Sequence, residues 1–180
     1  MPVHLGLSPE LAQRAARVSL LVLDVDGVLT DGRIILADYG DELKFFDVQD
    51  GAGVVFWHRA GLKSAIITSR TSKLVKRRAK EMRVDVLVQG ALLKLPAYQQ
   101  MLKRLRVSDE QICAIADDLM ELPILRRVGL AVAVPNAVEE VKRASHYVTQ
   151  RPGGRGAVRE VIDLILKAKG LWDQVLQRYT

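Results

Sequence analysis

The sequence predicts an α/β fold in which a parallel β-sheet is covered by helices on both faces. Short apolar runs alternate with amphipathic segments along most of the 180 residues, as expected for strands joined by crossover helices. The first run, residues 20–23, is continuously apolar, so the first strand is expected to be buried on both faces. The predicted strands are residues 20–25, 64–68, 84–88, 112–116 and 130–134. The predicted helices are residues 51–60, 72–82, 95–105, 119–128, 137–144 and 158–169.

Several predicted elements have recognisable capping residues. Gly61 suits the end of the helix over residues 51–60, because glycine adopts the left-handed conformation at little cost. Ser108 and Gln111 form the pattern of a capping box ahead of the fourth strand. Asn136 is placed to cap the helix that follows it. These residues set the expected boundaries between the strands and the helices.

One segment departs from the alternation of strands and helices. Two short β-like runs, residues 33–37 and 43–48, flank the turn-rich sequence DYGD and predict a β-hairpin that projects from the end of the first strand. We interpret this hairpin, residues 33–48, as a flap or an assembly surface. Residues 151–180 contain the glycine-rich loop RPGGRGA, a helix, and a tail that is amphipathic enough to dock or to fray.

Length and composition predict one soluble domain over residues 1–180, because a chain that is 49% hydrophobic can bury one core. The formal net charge of +6 favours anionic partners without identifying one. The lone cysteine, Cys113, excludes a disulfide framework within one chain and favours the reducing cytoplasm. No apolar run approaches the ~18 residues that span a bilayer, and aromatic stacking platforms are lacking. Neither a membrane nor nucleic acid is therefore expected as a partner.

Polar residues follow the predicted strands at the points where those strands end. Asp24 and Asp26 follow the first strand, Thr68 ends the second, and Asp117 follows the fourth. Lys94 opens a helix shortly after the third strand. Since ligands of open α/β sheets bind outside the carboxyl ends of the strands, these five residues are expected to share one crevice. The two neighbouring carboxylates repel each other, and a metal cation or a phosphoryl group would offset that repulsion.

This set of residues suits phosphoryl transfer to an aspartate. Asp24 is the candidate nucleophile, and the approach of two anions then requires Mg²⁺ and hydrogen-bonding or cationic groups around the phosphoryl oxygens. Asp26 is placed to protonate the leaving alcohol and later to activate water. Asp117 would complete a metal site whose hard oxygen ligands suit magnesium better than zinc. Thr68 would donate a hydrogen bond to the phosphoryl group, and Lys94 would balance its charge.

At these residues the chain resembles the haloacid-dehalogenase-like phosphatase superfamily. The stretch DVDGVLTDG, the threonine of AIITSR, the lysine of QGALLKL and the aspartates of AIADDLMELP follow the order of that superfamily's four motifs. The stretches FDVQDG, TSRTSKLVKRR and GGRGAVREVIDLILKAKG narrow the resemblance to the 3-deoxy-D-manno-octulosonate 8-phosphate phosphatases. That resemblance covers roughly residues 20 to 170.

The resemblance implies a Rossmann-like fold without a large cap domain, assembled as a homotetramer. It implies hydrolysis of a phosphorylated ulosonic acid in the biosynthesis of lipopolysaccharide sugars. Asp24 becomes the nucleophile and a metal ligand, Asp26 the acid/base with its backbone carbonyl on Mg²⁺, and Asp117 the remaining metal ligand. Thr68 and Lys94 become phosphate contacts.

The resemblance also implies a set of contacts with the sugar acid. Arg70 is chemically apt for this purpose, because a guanidinium can bind a carboxylate or a phosphate through two parallel hydrogen bonds. The implied substrate contacts are Asp26, Asp47, Val48, Gln49, Asp50, Gly51, Arg70, Arg78 and Lys94.

Certain positions depart from the family pattern. Gln49 and Val55 stand where the family has substrate-facing cations, and Ser69 and Ala116 stand where it usually has glycine. Glu121 replaces a motif aspartate and lengthens the side chain by one methylene. Two interpretations therefore stay open. One is a phosphatase, whose specificity or rate these residues alter, and the other is a non-catalytic binding or assembly protein that keeps the fold.

Overall fold

The structure, a computed structural model, describes residues 7–36, 38 and 42–179. This part of the chain forms eight strands and eight α-helices. The strands are β1 (Leu20–Leu23), β2 (Ile35–Leu36), β3 (Glu42–Leu43), β4 (Lys63–Ile67), β5 (Val86–Val88), β6 (Ile112–Ala116), β7 (Leu130–Ala133) and β8 (Tyr147–Val148). The helices are α1 (Pro9–Arg17), α2 (Val48–Arg59), α3 (Lys73–Glu81), α4 (Lys94–Leu105), α5 (Leu122–Leu125), α6 (Glu139–Arg143), α7 (Ala157–Ala168) and α8 (Trp172–Leu176).

Six strands form a parallel sheet in the order β5-β4-β1-β6-β7-β8. Strand β1 lies between β4 and β6, with Leu23 opposite Ile66 on one side and Ile115 on the other. All four residues of β1 are buried, as its continuous apolar sequence predicts. The predicted α/β fold is therefore confirmed, and the carboxyl ends of β4, β1 and β6 lie side by side.

The helices cover the sheet in two groups. Helices α1, α2 and α8 all contact α7, while α4 and α5 contact each other and neighbouring strands. The largest fully buried side chains of the described residues are Trp57 on α2 and Tyr98 on α4, which give each group an aromatic anchor in the core. No helix in the described ranges has both the length and the apolar character needed to cross a membrane.

The predicted hairpin is present, but it is shorter than its sequence suggests. Strands β2 and β3 pair antiparallel, with Ile35 opposite Leu43. The predicted second arm, residues 43–48, is wrong beyond Leu43 because Val48 already belongs to α2, whose N-cap is Asp47. Most of the connecting turn, residues 37 and 39–41, lies outside the described residues.

Three elements, α1, β8 and α8, were not predicted from the sequence, although the segment that forms α8 was expected to be amphipathic. Helix α1 begins after Ser8, whose hydroxyl accepts a hydrogen bond from Leu11 N at 3.2 Å, and Pro9 occupies its first turn. Both are established helix-start signals, so α1 was predictable. Strand β8 is a two-residue edge strand beside β7, which is too short to produce a periodic pattern.

Two predicted helices start later than expected. Residues 119–121 form a 3-10 turn, and α5 is confined to Leu122–Leu125, so one helix over residues 119–128 is wrong. The Asp118 carboxylate caps this turn and Pro123 follows in the next one; both residue types favour helix starts over helix interiors. The expectation that Asn136 caps the next helix is also wrong, because α6 begins at Glu139 with Val138 as its N-cap.

Candidate active site

The carboxyl ends of three neighbouring strands bring the predicted site residues together. Asp24 follows β1, Thr68 follows β4 and Asp117 follows β6. Asp24 and Thr68 are buried, and Asp117 is half-buried. These three residues therefore lie side by side at the carboxyl edge of the sheet.

A glycine allows Asp117 to approach the loop after β1. Gly27 has a φ of +93°, and a Cβ at this position would lie 1.9 Å from Oδ2 of Asp117. The hydroxyl of Thr30 accepts a hydrogen bond from Gly27 N at 3.4 Å and holds the turn in this shape. Any side chain at position 27 would strain the backbone and displace the Asp117 carboxylate.

Lys94 is the first residue of α4, and its ammonium points into the crevice. Its Nζ donates a hydrogen bond to Oδ1 of Asp24 at 2.6 Å and forms a second ion pair with Glu121. The Lys94 side chain is 1% exposed. Burial acts to lower the pKa of Lys94, but the negative charges of Asp24 and Glu121 outweigh this effect and raise it. The lysine is therefore held as a cation beside Asp24.

Asp24, Asp117 and Glu121 form a compact cluster of carboxylates. One oxygen from each residue lies within 4.8 Å of the others. Burial raises the pKa of Asp24, although Lys94 acts in the opposite direction. Burial, followed by the charges of Asp24 and Glu121, raises the pKa of Asp117 to about 7. The cluster thus carries more negative charge than Lys94 alone balances.

The donor set of this cluster fits a magnesium ion. All of its side-chain ligand atoms are carboxylate oxygens, which Mg²⁺ prefers over nitrogen or sulfur ligands. A divalent cation beside Asp24 and Asp117 would favour the charged form of both carboxyl groups and so oppose the burial that raises their pKa. The structure thus brings together two of the expected metal ligands. It adds Glu121, which the sequence marked only as a departure from a motif.

Asp26 lies in a different electrostatic environment from Asp24. Its carboxylate forms an ion pair with Lys44, and Nε of Arg70 lies 3.7 Å from its Oδ2. Lys44 also lies 3.0 Å from Oε1 of Glu42, which in turn is 3.4 Å from Nη2 of Arg70. The end of the hairpin therefore contacts the predicted acid/base residue, with Arg70 on its outer side.

Lys44 and Glu42 are site neighbours that the sequence prediction missed. The sequence shows that Lys44 alternates with two apolar residues, Leu43 and Phe45. The structure shows that both apolar neighbours are more than half exposed. An alternating segment whose apolar residues face solvent indicates that its polar residues face inward. The inward direction of Lys44 can therefore be inferred only after the exposure of its neighbours is known.

The segment from Asp47 to Gly51 forms the start of α2. Asp47 caps the helix by accepting a hydrogen bond from Gln49 N at 2.6 Å, and its carbonyl accepts one from Nη2 of Arg78 at 3.0 Å. Val48 is 78% exposed. A Cβ on Gly51 would lie 2.0 Å from the same Arg78 nitrogen, so the glycine makes room for that guanidinium. The contacts of these residues with a substrate stay a prediction.

Asp50 and Gln49 connect α2 to the glycine-rich loop. The buried Asp50 carboxylate accepts hydrogen bonds from Gly156 N at 3.1 Å and Arg159 N at 2.8 Å, at the start of α7. Burial raises the pKa of Asp50 to about 6, although these backbone donors act in the opposite direction. Gln49 accepts a hydrogen bond from Nη1 of Arg151 at 2.9 Å. In this arrangement the carboxylate of Asp50 holds α7 in place.

Asn136 joins the glycine-rich loop to the loop that carries Asp26. Its Nδ2 donates to Gly27 O at 2.9 Å, and its Oδ1 accepts from Gly153 N at 2.8 Å. A Cβ on Gly153 would lie 1.7 Å from Gly27 O, so only glycine permits this contact. Gly154 N adds a hydrogen bond to Val28 O at 2.8 Å. The RPGGRGA loop therefore packs directly against the turn after β1.

Comparisons with known proteins identify a matching family, related sequences and a related structure. Residues 66–162 match the haloacid dehalogenase-like hydrolase family. The 3-deoxy-D-manno-octulosonate 8-phosphate phosphatase of Yersinia pestis is 45% identical over 163 residues, which cover 91% of this chain and 87% of that protein. Its namesake from Escherichia coli K12 is 42% identical over 168 residues, covering 93% and 89%. The crystal structure of the Moraxella catarrhalis 3-deoxy-D-manno-octulosonate 8-phosphate phosphatase, in complex with magnesium, phosphate and the sugar acid KDO, has a TM-score of 0.94, 40% identity, and coverage of 97% and 100%.

Proposed function

The chain belongs to the haloacid dehalogenase-like hydrolase family, and on that premise we propose that it hydrolyses the phosphomonoester of 3-deoxy-D-manno-octulosonate 8-phosphate. The observation that carries the proposal is the convergence of Asp24, Thr68, Lys94 and Asp117 at the carboxyl edge of the sheet. Relatives that are more than 40% identical over most of the chain carry the name of this activity. The product would be the free sugar acid used in lipopolysaccharide biosynthesis.

We assign the first half of the reaction to the two aspartates after β1. A carboxylate oxygen of Asp24 attacks phosphorus, and the bond between phosphorus and the leaving sugar oxygen breaks. Asp26 gives its proton to that oxygen, so the sugar leaves as an alcohol and Asp24 carries the phosphoryl group. Lys94 beside Asp24 and the hydroxyl of Thr68 offset the charge of the phosphoryl oxygens.

The second half of the reaction restores the enzyme. Asp26, now a carboxylate, removes a proton from a water molecule, which attacks the phosphorus of the aspartyl-phosphate. The bond to Asp24 breaks, inorganic phosphate leaves, and both aspartates regain their starting states. The Asp26 side chain is 20% exposed, which gives it access to water.

Asp24 and Asp117, together with the backbone carbonyl of Asp26, would hold the magnesium ion in this proposal. When bound, the ion would supply positive charge that offsets the repulsion between the anionic nucleophile and the anionic phosphate. Glu121 keeps a carboxylate in the cluster despite its extra methylene, so this departure removes no charge from the site.

The sugar acid is assigned to the open side of the crevice, next to Asp26. Arg70 is 43% exposed there and can bind a carboxylate through two parallel hydrogen bonds. Residues 47–51 and Arg78 complete the proposed substrate contacts. Gln49, which stands where the family has a cation, accepts a hydrogen bond from Arg151. The guanidinium of Arg151 therefore supplies a positive charge next to that position.

The test is the release of phosphate from a panel of sugar-acid phosphates with and without Mg²⁺. We expect magnesium-dependent turnover, with 3-deoxy-D-manno-octulosonate 8-phosphate as the preferred member of the panel. A folded, concentrated protein that turns over no member would show that the enzymatic proposal is wrong. The non-catalytic alternative is not favoured, because the nucleophile, the acid/base, the phosphate contacts and the carboxylate cluster are all present.

We further propose that the chain assembles as a homotetramer in the cytoplasm. Support for assembly comes from the hairpin, where Ile34, Leu36 and Phe45 are 49%, 73% and 62% exposed. A group of exposed apolar side chains this close together favours a protein contact. Support for the compartment comes from Cys113, the single, buried cysteine. Light scattering at micromolar concentration tests the assembly, and a monomer with full activity would contradict it.

A further inference from the structure

Lys44 is a buried cation in an otherwise exposed part of the hairpin. Its side chain is 1% exposed, although it directly follows β3 and its neighbours Leu43 and Phe45 are 52% and 62% exposed. Lysine is among the residues least often buried, whereas leucine and phenylalanine are among the most often buried. This segment therefore inverts the usual arrangement, with its apolar side chains outward and its lysine inward.

Two carboxylates compensate for the burial of this lysine. The ammonium is paired with Asp26 on one side and lies 3.0 Å from Oε1 of Glu42 on the other. Arg70 closes the network from the solvent side, at 3.7 Å from Asp26 and 3.4 Å from Glu42. Taking an ammonium out of water is strongly unfavourable, and such a pair contributes little net stability compared with apolar residues. Stability alone does not account for placing a lysine here.

Without Lys44, the network would not hold Asp26 in place. The Asp26 side chain is 20% exposed, so its carboxylate has room to turn towards water. Arg70 would then remain beside Asp26 and Glu42 at the longer distances of 3.7 Å and 3.4 Å. The ammonium of Lys44 thus fixes Oδ1 of Asp26, whereas Nε of Arg70 lies 3.7 Å from Oδ2, beyond hydrogen-bond distance.

We propose that Lys44 is a positioning residue, which holds the Asp26 carboxyl group where it delivers its proton to the leaving oxygen of the substrate. The inference rests on the proposed phosphatase function and adds the hairpin to the proton-transfer apparatus. Lys44 itself forms and breaks no bond. The proton moves from Asp26 to the sugar oxygen as the phosphorus–oxygen bond breaks, and water later returns a proton to Asp26.

The experiment compares two leaving groups in the variant Lys44→Met. The sugar alkoxide must be protonated as it leaves, whereas p-nitrophenolate is stabilised by its ring and leaves without a proton. We expect kcat/KM for 3-deoxy-D-manno-octulosonate 8-phosphate to fall by about tenfold or more, because general acid catalysis contributes about 10² to 10⁴-fold and misplacement forfeits part of it. For p-nitrophenyl phosphate we expect kcat/KM to fall by less than about threefold, because its first step does not use the acid.

The ratio of the two kcat/KM values is independent of the fraction of enzyme that is folded, so a loss of stability does not change it. Lys44→Arg, which keeps the charge, should restore part of the ratio. Lys142→Met removes a lysine paired with Glu139 at 2.9 Å, away from Asp26, and should leave the ratio unchanged. If Lys44→Met does not fold, Lys44→Gln carries the same comparison and should change the ratio in the same direction.

Two results would overturn the inference. The first is an equal loss on both substrates, which would mean that Lys44 only closes the hairpin. The second is an unchanged kcat/KM on both. Asp26→Asn separates these results from a failure of the proposed function. It removes the acid itself, so it should change the ratio of the two kcat/KM values even more than Lys44→Met does. If Asp26→Asn does not discriminate, or the wild-type protein hydrolyses neither substrate, the assigned mechanism is wrong and this inference falls with it.

Discussion

Replacing Asn136 tests how the glycine-rich loop is held against the site. Asn136→Ala removes two hydrogen bonds, one to Gly27 O at 2.9 Å and one from Gly153 N at 2.8 Å. A hydrogen bond contributes about 0.5 to 1.5 kcal/mol net, so the pair is worth about 1 to 3 kcal/mol. Because Asn136 itself is exposed and water can replace it at the rim, we expect a loss of about 1 to 2 kcal/mol.

The same substitution should also lower activity. Gly27 follows Asp26 directly and packs against Asp117, so movement of this turn displaces both the proposed acid/base and a proposed metal ligand. A misplacement of about 1 Å at a reacting group can cost about 100-fold, and we expect about a tenfold loss of kcat/KM. Urea unfolding measures the loss of stability, and phosphate release from the sugar-acid phosphate measures the loss of activity.

Asn136→Ser distinguishes this bridge from the helix cap that the sequence suggests. Serine is as good an N-cap as asparagine, so a capping role would survive the change. Serine is too short to reach both Gly27 and Gly153, so a bridging role would be lost. We expect Asn136→Ser to behave like Asn136→Ala. If serine instead preserved wild-type stability and activity, the bridge would not be what holds the loop.

Three further predictions concern the site. Asp24→Asn should abolish turnover, because it removes the attacking carboxylate. Its melting temperature should stay the same or rise, because the raised pKa of Asp24 means that the fold disfavours the charged carboxylate above that pKa. A variant that kept most of its activity would contradict the aspartyl-phosphate mechanism. With its pKa raised to about 7, Asp117 should make the apo protein less stable as the pH rises from about 4 through 7. Magnesium must then displace its proton, so calorimetry should show Mg²⁺ affinity falling about tenfold per pH unit below 7, and an affinity independent of pH would refute this assignment. Gly51→Ala should push the Arg78 guanidinium off Asp47 O and raise KM for the sugar-acid phosphate more than it lowers kcat, and unchanged kinetics would mean that Arg78 contacts no substrate.

Local signals explain why the sheet and the buried half of the site were predictable. Strands β1 and β6 are continuous apolar runs and β4 ends in one, which is a property of a few consecutive residues. Once β1, β4 and β6 are known to be parallel, their carboxyl ends must lie at one edge, and Asp24, Thr68 and Asp117 follow from that geometry. The prediction needed no knowledge of side-chain contacts.

The contacts that hold the loops together were not predictable in the same way. Asn136 has the residue type and spacing of a helix cap, and only the approach of Gly153 to Gly27 shows its other role. Lys44 reaches Asp26 because the hairpin folds back onto the turn after β1. Each of these contacts joins residues that are distant in the chain, and neither produces a periodic pattern.

The proposed roles of Asp24 and Asp26 differ because their side chains point in different directions. In a regular strand, residues two apart place their side chains on the same face. The strand ends before this pair, and the turn at Gly27, which has a positive φ, separates their directions. Asp24 remains inside, 8% exposed, against Lys94 and the carboxylate cluster, where a phosphoryl group and a cation would offset its charge. Asp26 lies at the rim, between Lys44 and Arg70, where the proposed mechanism requires the alcohol to leave and water to enter. In that mechanism one short loop provides a buried nucleophile and a solvent-accessible acid, and the hairpin provides the cation that holds the acid in place.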